Sequence, residues 1–466
     1  MYGTVIILDD IKSSISLLPT FQKQLAANGN LFVMVTNEVG NNGDVVCDFF
    51  DVIAAASEMG MSYVNTIVVP MAEKVCSELP DNVMYVVWMA ASKEHFFCKD
   101  AIREPHIWKN IEWGRRTKNY HPRGKDPGNV WIPTIDDGRA NITKHILLDL
   151  PGVINRICAC SCQDATGMLL VTSHDTDSWG TNPRLEVMHM PARNAKSHKN
   201  VKPTYAYNRT PRLEREPRGT IIWGTSERMT HINNESVKVV ITSPPYWDLK
   251  DYFKTGQIGQ EGYATYLSRL NLVWKGCYDK LSDDGSLWIN VNIRVKNGKP
   301  ILLPHDIIAQ CKRIGFHYKG VIIWHKSSGI PTHEKNIVDR HEYVLVFSKG
   351  RKLIVNDSIT HYTDYKNDSI NGGLFWNINR KAGSVGKHFM HPAIYPNELV
   401  ARIVRSATNT GDTVLDPFLG SGTTVIAALN EGCNAVGYEY NEGFKELIDS
   451  RIHSEVSKLH NNITYI

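Results

Sequence analysis

The chain repeats itself, and a repeat of this length restricts it to folds built from two like halves. Leu25-Ala26-Ala27-Asn28-Gly29-Asn30-Leu31-Phe32-Val33 aligns with Leu281-Ser282-Asp283-Asp284-Gly285-Ser286-Leu287-Trp288-Ile289. Asp51 to Met59 then matches Asp306 to Ile314, and Gly60, Tyr63 and Ile67 to Val69 match Gly315, Tyr318 and Ile322 to Trp324. Tyr85-Val86-Val87 and Ser92-Lys93 echo Tyr343-Val344-Leu345 and Ser348-Lys349. Trp131 falls with Trp376, and Pro151 and Arg156-Ile157 with Pro396 and Arg402-Ile403. Thr166-Gly167 and the apolar run to Val171 match Thr410-Gly411 and the run to Leu415. Order and spacing persist with small gaps, which favours duplication over chance similarity between two α/β segments.

In the second half, apolar runs alternate with helical spacing. Strands are expected at Val237 to Ile241, Leu287 to Asn292, Tyr318 to Trp324, Tyr343 to Ser348, Thr413 to Leu415 and Ala435 to Glu439. Helices are expected at Tyr263 to Leu281, Pro304 to Arg313, Pro396 to Ala407 and Thr424 to Glu431. This alternation implies a mostly parallel, doubly wound, Rossmann-like α/β sheet, and the repeat implies a second one. The expected organisation is a domain over 1–175, a linker over 176–218 and a domain over 219–466. Proline, asparagine and basic residues dominate the linker, which reads as a solvated connection that could also track a nucleic-acid backbone.

The bulk properties exclude little but exclude it clearly. A hydrophobic content of 42% and a charged content of 21% suit a soluble globular chain. No apolar stretch reaches the roughly 18 residues of a membrane span. Asp9 and Asp10 interrupt the early apolar run Val5 to Leu8, so no signal pattern is expected and the cytoplasm is the expected location. Nine cysteines, mostly scattered, fit a reducing compartment. Cys158-Ala159-Cys160-Ser161-Cys162 has no second Cys/His set at zinc-like spacing, so a helix of small residues after Pro151 is expected rather than a metal site. A net charge of +4 permits a nucleic-acid partner without arguing for one.

Two short segments carry the chemistry: Thr242-Ser243-Pro244-Pro245-Tyr246-Trp247 and Asp416-Pro417-Phe418-Leu419-Gly420-Ser421-Gly422-Thr423-Thr424. In the second, Gly420 and Gly422 allow close approach of backbone to a ligand. The helix beginning near Thr423 favours a carboxylate at its N-terminus, and Phe418 can pack on the same ligand. Glu439 ends the next strand, about 20 residues past the glycine turn, where an acidic residue binds ribose hydroxyls. Gly420-Ser421-Gly422-Thr423-Thr424-Val425 does not complete Gly-x-Gly-x-x-Gly, which argues against a dinucleotide dehydrogenase. Taken alone, the first segment is a proline-stabilised turn after a strand.

Taken together, and in this order, the two segments resemble the β group of S-adenosylmethionine-dependent DNA amino-methyltransferases. In that group the catalytic tetrapeptide precedes the cofactor loop. The resemblance covers about residues 219 to 455 and is strengthened by His391-Pro392-Ala393-Ile394-Tyr395-Pro396, Trp324-His325-Lys326-Ser327 and His341 to Lys349. It implies S-adenosyl-L-methionine as cofactor and double-stranded DNA as partner. It further implies catalytic roles for Ser243, Pro244, Pro245 and Tyr246. The implied cofactor pocket comprises Asp416, Pro417, Phe418, Gly420, Ser421, Gly422, Thr423, Glu439, Asn441, His391, Pro392, Ala393 and Pro396. Base amino groups are poor nucleophiles because the lone pair is delocalised into the ring. Ser243 Oγ and the Pro244 carbonyl suit acceptance of the amino hydrogens, while Tyr246, helped by Trp247, can stack on a base taken out of the duplex. Serine rather than aspartate at the head of the motif leans towards cytosine N4 over adenine N6. One departure is Gly224-Thr225-Ser226, where the family carries an aspartate after the glycine.

Sequence reading by the family falls to a segment that here spans only about Gly350 to Gly386, with Arg351 and Arg380; Lys326 lies near the target base. The matching slot of the first half is denser in basic and aromatic residues, among them Arg115, Arg116, Arg123 and Lys125. The first half has lost the motifs. Leu8-Asp9-Asp10-Ile11 falls where the tetrapeptide should, and Thr172 where Asp416 should. The expectation is a cytosine-N4 DNA methyltransferase whose first half is a degenerate, DNA-gripping scaffold. It pairs with the second half as a dimer within one chain, leaving the chain a monomer, and a cognate restriction endonuclease is an expected companion. The alternatives are an adenine-N6 or RNA enzyme and an inactive nucleic-acid-binding subunit.

Overall fold

A computed structural model describes residues 1–75, 79, 81–104, 123–132, 134–136, 143–145, 147–162, 166–179, 184–190, 216–249, 254–296, 299–326, 335–356, 373–379, 395–456 and 462–466. The first half runs β1 (Tyr2–Leu8), α1 (Ile11–Gln22), β2 (Leu25–Val35), β3 (Glu38–Val39), β4 (Val45–Cys47), α2 (Phe49–Glu58), β5 (Ser62–Val75) and β6 (Asp81–Ala90). It continues with β7 (Thr134–Asp136), β8 (Thr143–His145), α3 (Leu150–Ser161), β9 (Gly167–Thr172) and β10 (Leu185–His189). The second half runs β11 (Gly219–Trp223), β12 (Val237–Thr242), α4 (Tyr263–Lys280), β13 (Leu281–Val291), β14 (Arg294–Lys296), β15 (Lys299–Ile301), α5 (Leu303–Ile314), β16 (His317–His325) and β17 (His341–Ser348). It ends with β18 (Phe375–Asn377), α6 (Asn397–Ala407), β19 (Thr413–Asp416), α7 (Thr423–Asn430), β20 (Asn434–Glu439), α8 (Lys445–Glu455) and β21 (Ile463–Tyr465).

Local chemistry explains these boundaries. Buried β-branched runs such as Val5-Ile6-Ile7 and Val239-Val240-Ile241 form central strands covered on both faces. Asp10 caps α1, Asp149 caps α3, and Asp48 with Asp51 forms a capping box on α2. Gly315, at φ +121°, ends α5 in a conformation that a side chain would strain. Cys158 and Cys160 are buried on α3, and burial pushes both thiols up to about 12. No helix among the described residues is long and apolar enough to cross a membrane.

The two halves share one topology. The first sheet has the order β10-β9-β1-β2-β6-β5, and the second contains β20-β19-β12-β13-β17-β16, extended by β18 at one edge and by β11 and β21 at the other. In both, the inner strands are parallel and the last two ladders, β2–β6 and β5–β6 or β13–β17 and β16–β17, are antiparallel. The same bulge recurs, between Tyr63 and Asn65 and between Tyr318 and Gly320. Arg156 lies 5.2 Å from the ring centre of Trp131, and Arg402 lies 4.4 Å from that of Trp376, the matched pairs of the repeat. One sequence alignment is corrected. The ladders pair Thr4 with Met168 and Val239 with Val414, so Leu170, not Thr172, occupies the place of Asp416. A two-residue slip keeps every side chain on its face, which is why the apolar pattern did not reveal it.

The halves pack through related surfaces. Hairpin β3–β4 meets β16, and its counterpart β14–β15 meets β5. Phe49 sits between Tyr85, ring centres 4.1 Å apart, and the matching Tyr343, at 5.5 Å. Asn129 Oδ1 accepts from the Arg340 amide at 2.8 Å, and Asn82 Oδ1 accepts from the Leu374 amide at 3.2 Å, again at matched positions. Around this pseudo-twofold, Tyr318 donates to Asp48 at 2.8 Å and Lys319 pairs with Asp44 at 2.8 Å. Burial pushes the Asp48 carboxyl up to about 6.

Candidate active site

The order of the second sheet sets the site. From the neighbours β12 and β19 the strands proceed in opposite directions, to β13 on one side and to β20 on the other. A crevice opens at the carboxyl ends of such a pair. Both motifs are the residues that follow these two strands. They line one cavity of about 540 Å³, with Ser243, Pro244, Pro245 and Tyr246 on one wall and Pro417, Phe418, Gly420, Ser421, Thr423, Glu439 and Asn441 on the other.

Asp416 does not reach this cavity. Its buried carboxylate accepts from Thr242 Oγ1 at 2.7 Å, Thr424 Oγ1 at 2.6 Å, Tyr395 OH at 3.1 Å and the Phe418 amide at 3.0 Å. It therefore joins the two strand ends instead of touching a ligand, and burial raises its pKa. Gly420 and Gly422 take φ of +55° and +85°, so the turn needs glycine. Glu439 Oε2 accepts from the Gly420 amide at 2.8 Å and Oε1 from the Asn441 amide at 2.7 Å, and burial pushes this carboxyl up to about 7. Behind the turn, buried Arg451 donates to the Ser421 carbonyl at 2.8 Å and to Thr423 Oγ1 at 2.9 Å. Sequence reasoning missed Arg451 because nothing in α8 marks it as a buttress. Pro396 precedes α6 outside the cavity lining, whereas its neighbour Tyr395 lines it; His391, Pro392 and Ala393 lie outside the described residues.

These groups fit S-adenosylmethionine. The first turn of α7 has no side-chain cap, leaving amides for a carboxylate. Glu439 lies at the cavity wall for hydroxyls, and half-buried Phe418 offers an apolar face. Thr225, which stands where the family carries an aspartate, is tied to a nearby carboxylate. Thr225 Oγ1 donates to Glu227 at 2.7 Å, and Glu227 takes a two-pronged bond from Arg269 at 2.9 and 2.8 Å. The guanidinium holds Glu227 below the usual carboxylate range. Thr225 and Arg269 both line the cavity.

On the opposite wall, Ser243 Oγ has no hydrogen-bond partner among the described residues, leaving it available to a ligand. Tyr266 OH donates to the Pro245 carbonyl at 2.5 Å and fixes the double-proline turn. Tyr246 OH donates to Glu342 Oε2 at 3.2 Å; Asn290 Nδ2 donates to the same oxygen at 2.8 Å, and Lys326 pairs with Oε1 at 2.9 Å. Asn290 and Glu342 were not expected as site residues. Trp247 stands apart from the cavity lining. Its φ is +50°, its indole donates to the Glu261 carbonyl at 2.7 Å, and Lys296 lies 4.2 Å from its ring centre. The ring is thus already covered, so in this conformation it does not help Tyr246 stack on a base.

The residues expected to contact DNA are scattered. Lys326 lines the cavity, whereas Arg351 is exposed beyond it. Arg123 pairs with Asp100, and Lys125 bridges to Glu104 through backbone, with burial lowering its pKa. Arg115, Arg116 and Arg380 lie outside the described residues.

Comparison with known proteins bears on the cavity-bearing half. A family model described as DNA methylase, of N6 and N4 type, matches residues 237–450, which include both motifs. The Type II methyltransferase M.Cfr9I of Citrobacter freundii is 30% identical over 251 residues, covering 47% of this chain and 82% of that protein. The Type II methyltransferase M.SmaI of Serratia marcescens is 31% identical over 265 residues, covering 50% and 89%. A solved protein of Thermus thermophilus, TTHA0409, complexed with S-adenosyl-L-methionine, aligns at 26% identity and a TM-score of 0.39, over 53% of this chain and 99% of that one. Relatives matched along most of their own length leave one conclusion: this chain belongs to the N6/N4 DNA methylases, enzymes that use S-adenosylmethionine.

Proposed function

We propose that the chain methylates the N4 amino group of cytosine at a specific site in double-stranded DNA, as the modification enzyme of a restriction–modification system in the cytoplasm. The observation that carries this reading is the shared cavity bounded by the Ser243–Tyr246 turn and the glycine turn at Gly420. Serine at the head of the tetrapeptide favours cytosine, and the relatives' designation as Type II methyltransferases favours a modification role.

The bound cofactor supplies an electrophilic methyl carbon on a sulfonium. The chain's own residues make the base nitrogen able to attack it. Ser243 Oγ and the Pro244 carbonyl accept the two amino hydrogens, so the nitrogen becomes tetrahedral and its lone pair leaves the ring plane. Acceptors already in place need no reorganisation when charge develops. Held at the glycine turn, S-adenosylmethionine would supply the methyl group with its sulfonium as the leaving side, and the surplus proton of the amino group would pass to solvent along the hydrogen bond to Ser243 Oγ. Tyr246 stacks on the flipped base.

The first half, in this reading, is a degenerate methyltransferase domain over 1–175. It is linked through 176–218 to the catalytic domain 219–466, acts as a built-in dimer partner and supplies part of the DNA grip. The chain then works as a monomer. Incubating it with unmethylated DNA and analysing the nucleosides by mass spectrometry tests the chemistry. N4-methylcytosine is expected; N6-methyladenine would overturn the choice of base.

A further inference from the structure

The duplicated topology makes an internal comparison possible, because each position of the cavity has a counterpart that lacks the chemistry. Ladder registers equate Val240 with Val5, so Ser243 and Tyr246 correspond to Leu8 and Ile11. The same registers equate Asn290 with Met34 and Glu342 with Met84. At the end of the neighbouring strand, His325 corresponds to Pro70, and Lys326 therefore to Met71. Three polar residues joined by hydrogen bonds in the second half are thus three methionines in the first.

A buried polar trio is costly unless every member is satisfied, and an apolar replacement is readily accommodated. Lys326 and Asn290 are buried, at 2% and 7% exposure. The first half demonstrates that this fold needs no polar group at any of the three positions. What differs is the residue they hold. Asn290 Nδ2 also lies 3.3 Å from Tyr246 OH, so the tyrosine hydroxyl sits in a bracket formed by Asn290 and Glu342, with Lys326 fixing the far oxygen of the carboxylate. The other end of the tyrosine is fixed through the Pro245 carbonyl.

We propose that Glu342 is a positioning residue, which with Asn290 and Lys326 clamps the Tyr246 ring at the angle needed to receive the flipped base. The inference rests on the reading of Tyr246 as the stacking residue. In this view the clamp acts on the DNA side of the cavity and leaves cofactor binding alone.

The test uses the full chain, unmethylated bacteriophage λ DNA and tritiated S-adenosylmethionine. The variants are Tyr246→Phe, Glu342→Gln, the two combined, Tyr246→Ala, and the triple Asn290→Met, Lys326→Met, Glu342→Met. Glu342→Gln and Tyr246→Phe should each raise the KM for DNA and lower kcat/KM by about 10- to 100-fold, the scale of one hydrogen bond to a charged group. The combined variant should be little worse than Tyr246→Phe alone, because with the hydroxyl gone the side chain at 342 has no tyrosine to hold. The triple variant, which copies the first half, should stay folded and bind cofactor calorimetrically as the parent does while losing turnover. Effects that multiply in the combined variant would overturn the clamp. So would parent-like kinetics of Glu342→Gln and Tyr246→Phe beside an inactive Tyr246→Ala. Parent-like kinetics of Tyr246→Ala would instead remove the stacking role itself, and the clamp with it.

Discussion

Replacing Asp416 should separate two roles that its motif position conflates, organising the site and touching the ligand. The carboxylate is fully buried and takes four hydrogen bonds, two on each oxygen. Asp416→Ala orphans all four donors. Each buried orphan costs about 1–3 kcal/mol. The hydroxyls of Thr242, Thr424 and Tyr395 can rotate towards other acceptors, but the Phe418 amide cannot turn. A net loss of about 3–5 kcal/mol is expected. Asp416→Asn keeps an oxygen for the Phe418 amide and Thr242 and turns its NH₂ towards Thr424 and Tyr395, whose hydroxyl oxygens can accept. That exchange should cost only about 1–2 kcal/mol. Equilibrium urea unfolding followed by tryptophan fluorescence measures both variants. Equal losses within about 0.5 kcal/mol would refute the reasoning, because they would mean that the hydrogen bonds do not carry the difference. Cofactor affinity should follow stability in these variants.

Ser243→Ala and Tyr246→Ala should each cut methyl transfer by at least about 10²-fold with the fold kept; near-normal rates in both would remove them from the mechanism. Calorimetry should count one S-adenosylmethionine per chain, since Leu8 to Ile11 and Leu170 replace the motifs in the first half; two sites would contradict the degeneracy of that half. Burial raises the Glu439 carboxyl from 4.5 to about 7, so the stability it contributes is present below pH 4.5 and is lost as pH rises through about 7. Glu439→Gln, which does not titrate, should therefore gain on the parent across that window, by about 3 kcal/mol at most, and a flat difference in urea midpoints would argue against a buried, titrating Glu439. Cleavage at a protease site inserted between residues 200 and 201 should leave the halves together in gel filtration, held by contacts such as Lys319–Asp44 and Phe49–Tyr343; separation would show the interface to be weak.

Much of this was legible in the sequence, for physical reasons. Strands buried on both faces are near-continuous apolar runs, and β12, β16, β17 and β20 fall within a residue or two of their expected limits. β11 and β21 were missed, one beside the linker and the other only three residues long at the chain end. The two motifs were legible because glycine and proline are required by backbone geometry that few other residues can adopt. The clamp was not legible. Asn290 and Glu342 are 52 residues apart and become neighbours only through the register of β13 and β17, which sequence periodicity does not fix. Trp247 was misjudged for a related reason, since its positive φ turns the ring towards Glu261 and Tyr263.

The pseudo-twofold between the halves carries a consequence for how such an interface can change. Between identical subunits every substitution is made twice, and a residue on the axis must tolerate a copy of itself. Inside one chain each position mutates alone. Lys319 is salt-bridged to Asp44, whereas its counterpart Val64 lies in an apolar core. One lobe can thus acquire charge, lose a pocket or reshape a groove without imposing the same change on the other. A molecule released from self-complementarity can present unlike faces to the two strands of a duplex and so favour one orientation on it. In the proposed reading, with the Asp416–Thr424 turn present once per chain, each encounter in that orientation would deliver a single methyl group to a single strand.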